Sequence, residues 1–309
     1  MSAGAAVAVA ALAAIAAAAV VLWLAVGWLG AWRLNHPPAA RGPRSEFTFT
    51  PLETDVPHEI ARFRAADGPE LHGWFLPRPE SSRVILAMHG YRGEMSQVLG
   101  ISTLLWRAGW NVLLFDFRGR GRSDPAPISM GVWETADLAA ALEWIEARVE
   151  EPRVALFGFS MGAVVALLAG AHPRVGAIVA DSAFASQRDV LEHFAERDGA
   201  RLLGGRLDGR RFLPAVEWWH RRRGKPPFDA IAPLAAVAGL DGTPVLLIHG
   251  RRDTVVPVEQ ARRLAEAAGS AELWEVEEAQ HCGAYFVDRG AYMGRVTAFL
   301  DRAMPPGAA

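Results

Sequence analysis

The chain has 309 residues, 51% of them hydrophobic, which allows one large soluble domain or one domain with a membrane segment. Its 32 Lys and Arg nearly balance 34 Asp and Glu, for a formal charge of −2. The cationic surplus that phosphate backbones require is missing, so nucleic acid is not expected as a partner. The single cysteine, Cys282, excludes an intrachain disulfide and a cysteine metal cluster.

From Ala3 to Trp32 no residue is charged, and the content is mostly Ala, Val and Leu, with Trp23, Trp28 and Trp32 towards the end. A helix of about 20 apolar residues crosses the hydrocarbon of a bilayer, and this run is longer. Tryptophan favours the headgroup region where such a helix emerges. A cleavable signal peptide would carry a basic stretch before a shorter apolar core. Here the first charges, Arg33, Arg41 and Arg44, follow the run. Residues 1–33 are therefore expected to form an uncleaved, single-pass transmembrane anchor, and the flanking arginines favour the cytoplasmic side for the rest of the chain. NHPPAARGP, within residues 34–44, has paired prolines, a Gly-Pro step and no periodicity, and reads as a linker.

The body follows. EFTFT (46–50), HEIARFRA (58–65) and LHGWFLP (71–77) have β-like composition, and AADGPE makes a turn between the last two. RVILAMHG (83–90) is a compact apolar strand, Met95 to Ala108 has helical period, and WNVLLFDFRG (110–119) is again a buried strand. Ala136 to Val149 is helical in period, and RVALFGFS, VGAIVADS, PVLLIHG and LWEVEE (273–278) repeat the strand type. Short apolar strands alternating with amphipathic helices predict an α/β fold with a mostly parallel sheet covered by helices on both faces. Ligand sites in such sheets lie in loops at the carboxyl ends of the strands. From about 184 to 238 no buried strand is visible, and a structureless loop of that length is improbable in a compact domain. This stretch is expected to be a helical cap insertion. Its Arg221, Arg222 and Arg223 read first as a solvated face.

Four loops then carry chemistry. GFSMG (158–162) fits G-x-S-x-G with a strand before it and a helix after it. That turn needs glycines where backbones approach closely, and it projects the Ser160 hydroxyl from the end of the sheet. The chain has 9 histidines. His281, in EEAQHCGAYF between the last strand and the last helix, is placed to reach a serine emerging from mid-sheet. Asp253, in HGRRD after PVLLIHG, can accept the imidazole N–H and fix its tautomer. Asp181, in VADSAF, is the rival acid, while Asp116 in DFRGRGRSD reads as structural. In HGYRG (89–93) the glycines free the backbone so that the Tyr91 N–H can join that of Met161 as an oxyanion hole.

HGYRG, DFRGRGRSD, GFSMG, VADSAF, HGRRD with VVP, and the late QH together resemble the α/β-hydrolase superfamily over roughly residues 45–305. The likeness is to serine-aminopeptidase-like and esterase-like members that carry an N-terminal membrane segment. The resemblance implies an eight-stranded sheet with a cap after the sixth strand. It also implies hydrolysis of an ester, amide or thioester through an acyl-enzyme, without metal or cofactor. An ester-type acyl hydrolase acting on a small or lipid-like substrate is the expected activity; the membrane location and Phe194, Phe212, Trp218 and Trp219 in the cap suggest it. A peptidase, a thioesterase, a haloperoxidase, or a membrane-tethered binding module without turnover are the alternatives.

Overall fold

The computed structural model describes residues 2–37, 49–202, 208–240 and 242–306, with side chains throughout except at 198–202. In chain order the elements are α1 (Ala3–Asn35), β1 (Glu59–Arg64), β2 (Glu70–Leu76), β3 (Arg83–Met88), α2 (Leu99–Arg107), β4 (Asn111–Phe115), α3 (Val132–Glu146), β5 (Arg153–Phe159), α4 (Met161–Leu168) and β6 (Val175–Asp181). Then come α5 (Gln187–Leu202), α6 (Leu213–Arg222), α7 (Pro233–Ala238), β7 (Val245–Gly250), α8 (Glu259–Ala268), β8 (Glu272–Val276), α9 (Ala284–Val287) and α10 (Arg289–Ala303). They fall into two compact units: Met1–His36 with Arg188–Ala230, and Pro37–Gln187 with Ile231–Ala309.

The larger unit is built on an eight-stranded sheet in the order β1-β2-β4-β3-β5-β6-β7-β8. β1 and β2 form an antiparallel hairpin, and β2 runs antiparallel to β4; every other pairing is parallel. The parallel strands β3, β4 and β7 are buried along their whole length, as expected of strands covered on both faces. Val84, Ile85, Leu86, Val112, Leu113, Leu114, Leu156 and Ile178 are fully excluded from solvent. Each such aliphatic side chain contributes about 1.5–3 kcal/mol relative to exposure. The chain goes from β3 to β4 on one side of β3 and returns to β5 on the other. This reversal is a topological switch point, and ligands in open α/β sheets bind outside the carboxyl ends of the strands at such a point.

Three element boundaries differ from the sequence pattern. Of the strand expected at 46–50, residues 46–48 lie outside the described residues, and Phe49 and Thr50 are not in a strand. Thr50 instead caps a 3-10 turn at Pro51–Thr54, its hydroxyl accepting from the Leu52 N–H while Glu53 accepts from the Thr50 N–H. α3 starts at Val132 rather than near 136, because the buried Glu134 carboxylate accepts the N–H groups of Ser129 and Gly131 and so caps an earlier turn. α1 runs on through Asn35, past the expected start of the linker, and residues 38–44 of that linker lie outside the described residues.

In the smaller unit α1 packs against α6. From Ala3 to Leu22 every residue of α1 is exposed, whereas Gly27, Ala31 and Asn35 are buried, a four-residue spacing that puts them on one face. A Cβ on Gly27 would lie 2.4 Å from the Ala215 Cβ, so the two helices meet with nothing between them. The Trp219 indole N–H donates to the Leu24 carbonyl at 2.9 Å, and Trp23 donates to the Arg211 carbonyl at 2.9 Å. Trp219, expected to offer apolar surface to a substrate, is thus engaged by α1. Arg188 holds two acidic groups of the unit, donating to Glu217 at 3.0 Å and Asp229 at 2.6 Å.

Candidate active site

Ser160 follows β5 directly, at the switch point, with φ 52° and ψ −113°. A non-glycine residue in that region is strained, by about 1–3 kcal/mol. The neighbouring glycines make the turn possible. A Cβ on Gly158 would fall 2.3 Å from the Gly162 backbone, and one on Gly162 would fall 2.6 Å from the Met88 carbonyl oxygen and 2.7 Å from that of His89. The Ser160 N–H donates to the Asp181 carbonyl at 2.8 Å, and α4 begins with Met161 as the next residue. The Ser160 hydroxyl lies 3.0 Å from Nε2 of His281, and Nδ1 of His281 lies 2.7 Å from Oδ2 of Asp253.

Asp253 is set by its own loop. Its Oδ1 accepts the N–H groups of Val255 and Val256, each at 2.8 Å, leaving Oδ2 for His281. Burial opposes ionisation of this carboxyl, but hydrogen bonds from His249 and His281, the positive field of His281 and the Val256 N–H outweigh it and hold it well below the usual carboxylate range. An ionised Asp253 accepts only, so Nδ1 of His281 is the protonated nitrogen and Nε2 is left bare to accept from Ser160.

The rival acid has a different place. Asp181 makes no hydrogen bond to His281: its Oδ1 accepts from the Ser182 hydroxyl at 2.9 Å and its Oδ2 from the Tyr292 phenol at 2.9 Å. Burial pushes it up to about 6, against the lowering effect of those two donors. Ser182 Oγ in turn accepts the N–H of Cys282 at 3.0 Å, so Asp181 steadies the loop that carries His281 from beneath. The Cys282 thiol is raised well above its ordinary value, chiefly by burial and then by Asp181 and Asp253, which disfavours the thiolate.

Other sequence-stretch residues serve as supports. Asp116 accepts the N–H groups of Met95 and Arg122, tying the segment after HGYRG to the turn after β4. Arg118 donates to Asp137, which fastens that turn to α3. His89 accepts from the Phe117 N–H at 3.1 Å through Nε2, and burial lowers it to about 4. The HGYRG loop flanks the serine: a Cβ on Gly90 would stand 3.4 Å from the Ser160 Cβ and 4.0 Å from its Oγ. Tyr91 is the next residue of that loop, and Met161 the residue after the serine.

Three members of this arrangement lacked a clear sequence signal. His249 donates from Nε2 to the Val256 carbonyl at 2.8 Å and stands 3.4 Å from Oδ2 of Asp253. Its four-residue spacing from Asp253 was the available hint. Ser182 was visible only as part of VADSAF. Tyr292 reaches Asp181 from α10 across 111 positions, which no local pattern reveals. A cleft of about 990 Å³ lined by Pro77, Arg78, Arg153 and Arg174 lies at the amino ends of β3, β5 and β6. It is at the edge of the sheet opposite Ser160, away from where ligands bind in such sheets.

The family model for serine aminopeptidase, S33, matches residues 79–211, and the model for TAP-like protein matches residues 217–308. The chain is 31% identical to YqkD of Bacillus subtilis over 243 residues, 77% of each protein. It is 28% identical to the alpha/beta hydrolase domain-containing protein WAV2 of Arabidopsis thaliana, over 73% of this chain and 71% of that one. Among solved structures it is similar to an esterase of Pyrococcus furiosus, with a TM-score of 0.70 and 26% identity over 88% of this chain and 98% of the other. Switch-point geometry, the order of the motifs and these relatives agree, and the chain is a hydrolase that belongs to the α/β-hydrolase superfamily, in its serine-aminopeptidase-like and esterase-like branch.

Proposed function

We propose that the chain is a serine hydrolase that cleaves an ester-type acyl substrate through an acyl-enzyme on Ser160. The observation that carries this is the continuous path from Ser160 Oγ through His281 to Asp253, with steps of 3.0 Å and 2.7 Å. Ser160 attacks the carbonyl carbon as His281 Nε2 takes its proton; Asp253 stabilises the imidazolium. The N–H groups of Tyr91 and Met161 receive the developing oxyanion, beside the positive end of α4. Collapse of the tetrahedral intermediate expels the alcohol, to which His281 returns the proton, and water then repeats the sequence to release the acid. Residues 45–305 form the hydrolase domain on this reading, with a cap insertion at about 184–238. α1 is the membrane anchor, 33 residues long with a mean hydropathy of 2.7 in its most apolar window. The body stands on the cytoplasmic side, and the substrate is a small or lipid-like acyl ester, as the likeness to an esterase suggests.

The test is labelling of the purified protein by a fluorophosphonate. Wild type labels and Ser160→Ala does not, with both unfolding at the same temperature. A folded wild type that stays unlabelled, or a Ser160→Ala protein that labels equally, overturns the mechanism. Nitrophenyl esters of increasing chain length, compared with aminoacyl anilides and an acyl thioester, then separate esterase from peptidase and thioesterase activity.

A further inference from the structure

α1 is longer than a bilayer requires. At about 1.5 Å per residue its 33 residues span roughly 50 Å, whereas about 20 residues cross the hydrocarbon core. The surplus coincides with a change of surroundings: α1 is exposed from Ala3 to Leu22, and from Trp23 onward it is gripped by the segment 211–223. Ala215 meets α1 at Gly27 and Val216 meets it at Gly30, and the Arg211 carbonyl and the Trp219 indole both return to the Trp23–Leu24 turn. At the far end the Arg223 guanidinium covers the Trp28 ring, 5.4 Å from its centroid.

What this segment shows to solvent is of one kind. Trp28, Trp32 and Trp218 are exposed at 45%, 44% and 42%. Arg211, Arg221 and Arg222 are exposed beside them, and Arg222 stacks on Trp218 at 4.6 Å. Of the nearby acids, Glu217 and Asp229 are held by Arg188 and Asp208 by Arg210, with Asp208 also in the field of Arg211, so the group stays cationic in balance. Indoles and arginines together at the level where an apolar helix leaves the hydrocarbon match an anionic headgroup layer, which offers both an amphipathic boundary and phosphate oxygens.

Resting on the reading of α1 as a membrane anchor, we propose that α6 is an interfacial element: Ala3–Leu22 crosses the hydrocarbon, Trp23–Asn35 clasps α6 just outside it, and Arg211, Arg221 and Arg222 bind anionic phospholipid headgroups. The membrane is then a ligand of the insertion as well as a tether for the chain.

The test uses the full chain in vesicles of phosphatidylcholine alone or with phosphatidylglycerol, read by amide hydrogen exchange of the peptide 213–222. An arginine near an anionic surface is attracted strongly enough that three together slow exchange in α6 by about tenfold in the phosphatidylglycerol vesicles. The difference disappears in Arg211→Gln/Arg221→Gln/Arg222→Gln and shrinks at high salt. Equal exchange in both vesicles, with the protein still floating with the lipid, overturns the headgroup contact and leaves the anchor standing. Failure to float with either vesicle overturns both. Protection that follows protein concentration instead of lipid composition assigns the surface to a second copy of the chain and refutes the proposal. Fluorophosphonate labelling, followed in the same samples, reports separately on the Ser160 chemistry.

Discussion

Asp253→Asn is the sharpest perturbation of the site, because the surroundings dictate which way the new amide must face. Oδ1 accepts two backbone N–H groups, from Val255 and Val256 at 2.8 Å each. The amide oxygen must stay there, since turning the NH2 group toward two donors would leave three buried donors without acceptors. The NH2 group then faces His281 Nδ1, where Oδ2 accepted at 2.7 Å. It can only donate, so the imidazole proton moves to Nε2 and the ring no longer accepts from Ser160. A triad locked in the wrong tautomer loses about 10⁴-fold in kcat, which is about 5.4 kcal/mol of barrier. The ionised Asp253 also stabilises the fold. Its folded-state pKa lies below the unfolded one, so this contribution is present above about pH 4 and is lost as pH falls through the folded value. The melting gap between wild type and variant is therefore widest near neutrality and closes in acid. Turnover of a nitrophenyl ester, with far-ultraviolet dichroism as the control for folding, decides the matter. A folded variant within tenfold of wild type refutes the reasoning, and a 10⁴-fold loss in Asp181→Asn instead assigns the acid elsewhere.

Gly162→Ala drives a Cβ to within 2.6 Å of the Met88 carbonyl and 2.7 Å of the His89 carbonyl, both backbone atoms that cannot step aside. It is expected to cost about 1–3 kcal/mol by overpacking, and to lower activity as the Ser160 turn shifts; an unchanged melting temperature would falsify this account of the glycine. Asp181, raised to about 6 by burial, binds a proton in the folded state that it has already lost in the unfolded chain between about pH 4 and 6. Its contribution to stability is fully present below pH 4 and declines by on the order of 2–3 kcal/mol as pH rises through that window. Urea midpoints at pH 4 and pH 7 should differ less in Asp181→Asn than in wild type, and equal differences would rule the effect out. Ser182→Ala leaves the Cys282 N–H without its acceptor, a loss of about 1–3 kcal/mol. Because that N–H adjoins His281, kcat should fall with KM little changed; a pure KM effect would contradict the role given to Ser182.

What the sequence displays well is whatever has a local cause. Continuous apolar runs such as VLLF and VLLI fold as strands buried on both faces. Residues immediately after those runs then fall at one edge of the sheet, which is why Ser160, Asp253 and His281 were visible as a group. The choice between Asp253 and Asp181 is less local. Both follow neighbouring strands, β7 and β6, and what separates them is where their oxygens are already spent: Asp181 on Ser182 and Tyr292, Asp253 on two amides of its own loop. The engagement of α1 by α6 has no local signature at all, since the bond from Trp219 to Leu24 spans 195 positions. A tryptophan in an insertion reads as apolar surface for a substrate until the partner that takes its N–H is known.

Backbone strain marks the same boundary between what sequence displays and what only the fold can hold. Ser160, Ser182 and Cys282 have φ of 52°, 59° and 52°, in the left-handed region that glycine would occupy more cheaply. On the proposed mechanism glycine cannot replace Ser160, because the hydroxyl is the nucleophile, and Ser182 uses its own hydroxyl to receive the Cys282 N–H. Each strained residue is held by an N–H bond that relaxation of φ would break: Ser160 to the Asp181 carbonyl at 2.8 Å, Ser182 to the Ile248 carbonyl at 2.8 Å, and Cys282 to Ser182 Oγ at 3.0 Å. These bonds join β5, β6, β7 and the loop of His281, so strain in any one is opposed by the sheet as a whole. Local preference and global fold disagree here and almost nowhere else along the parallel strands, as expected where a chain gives up stability for function. Those bonds hold the turn of Ser160 and the loop of His281 in register, with Ser160 Oγ 3.0 Å from His281 Nε2, and on the proposed mechanism that is the preorganisation acyl transfer needs.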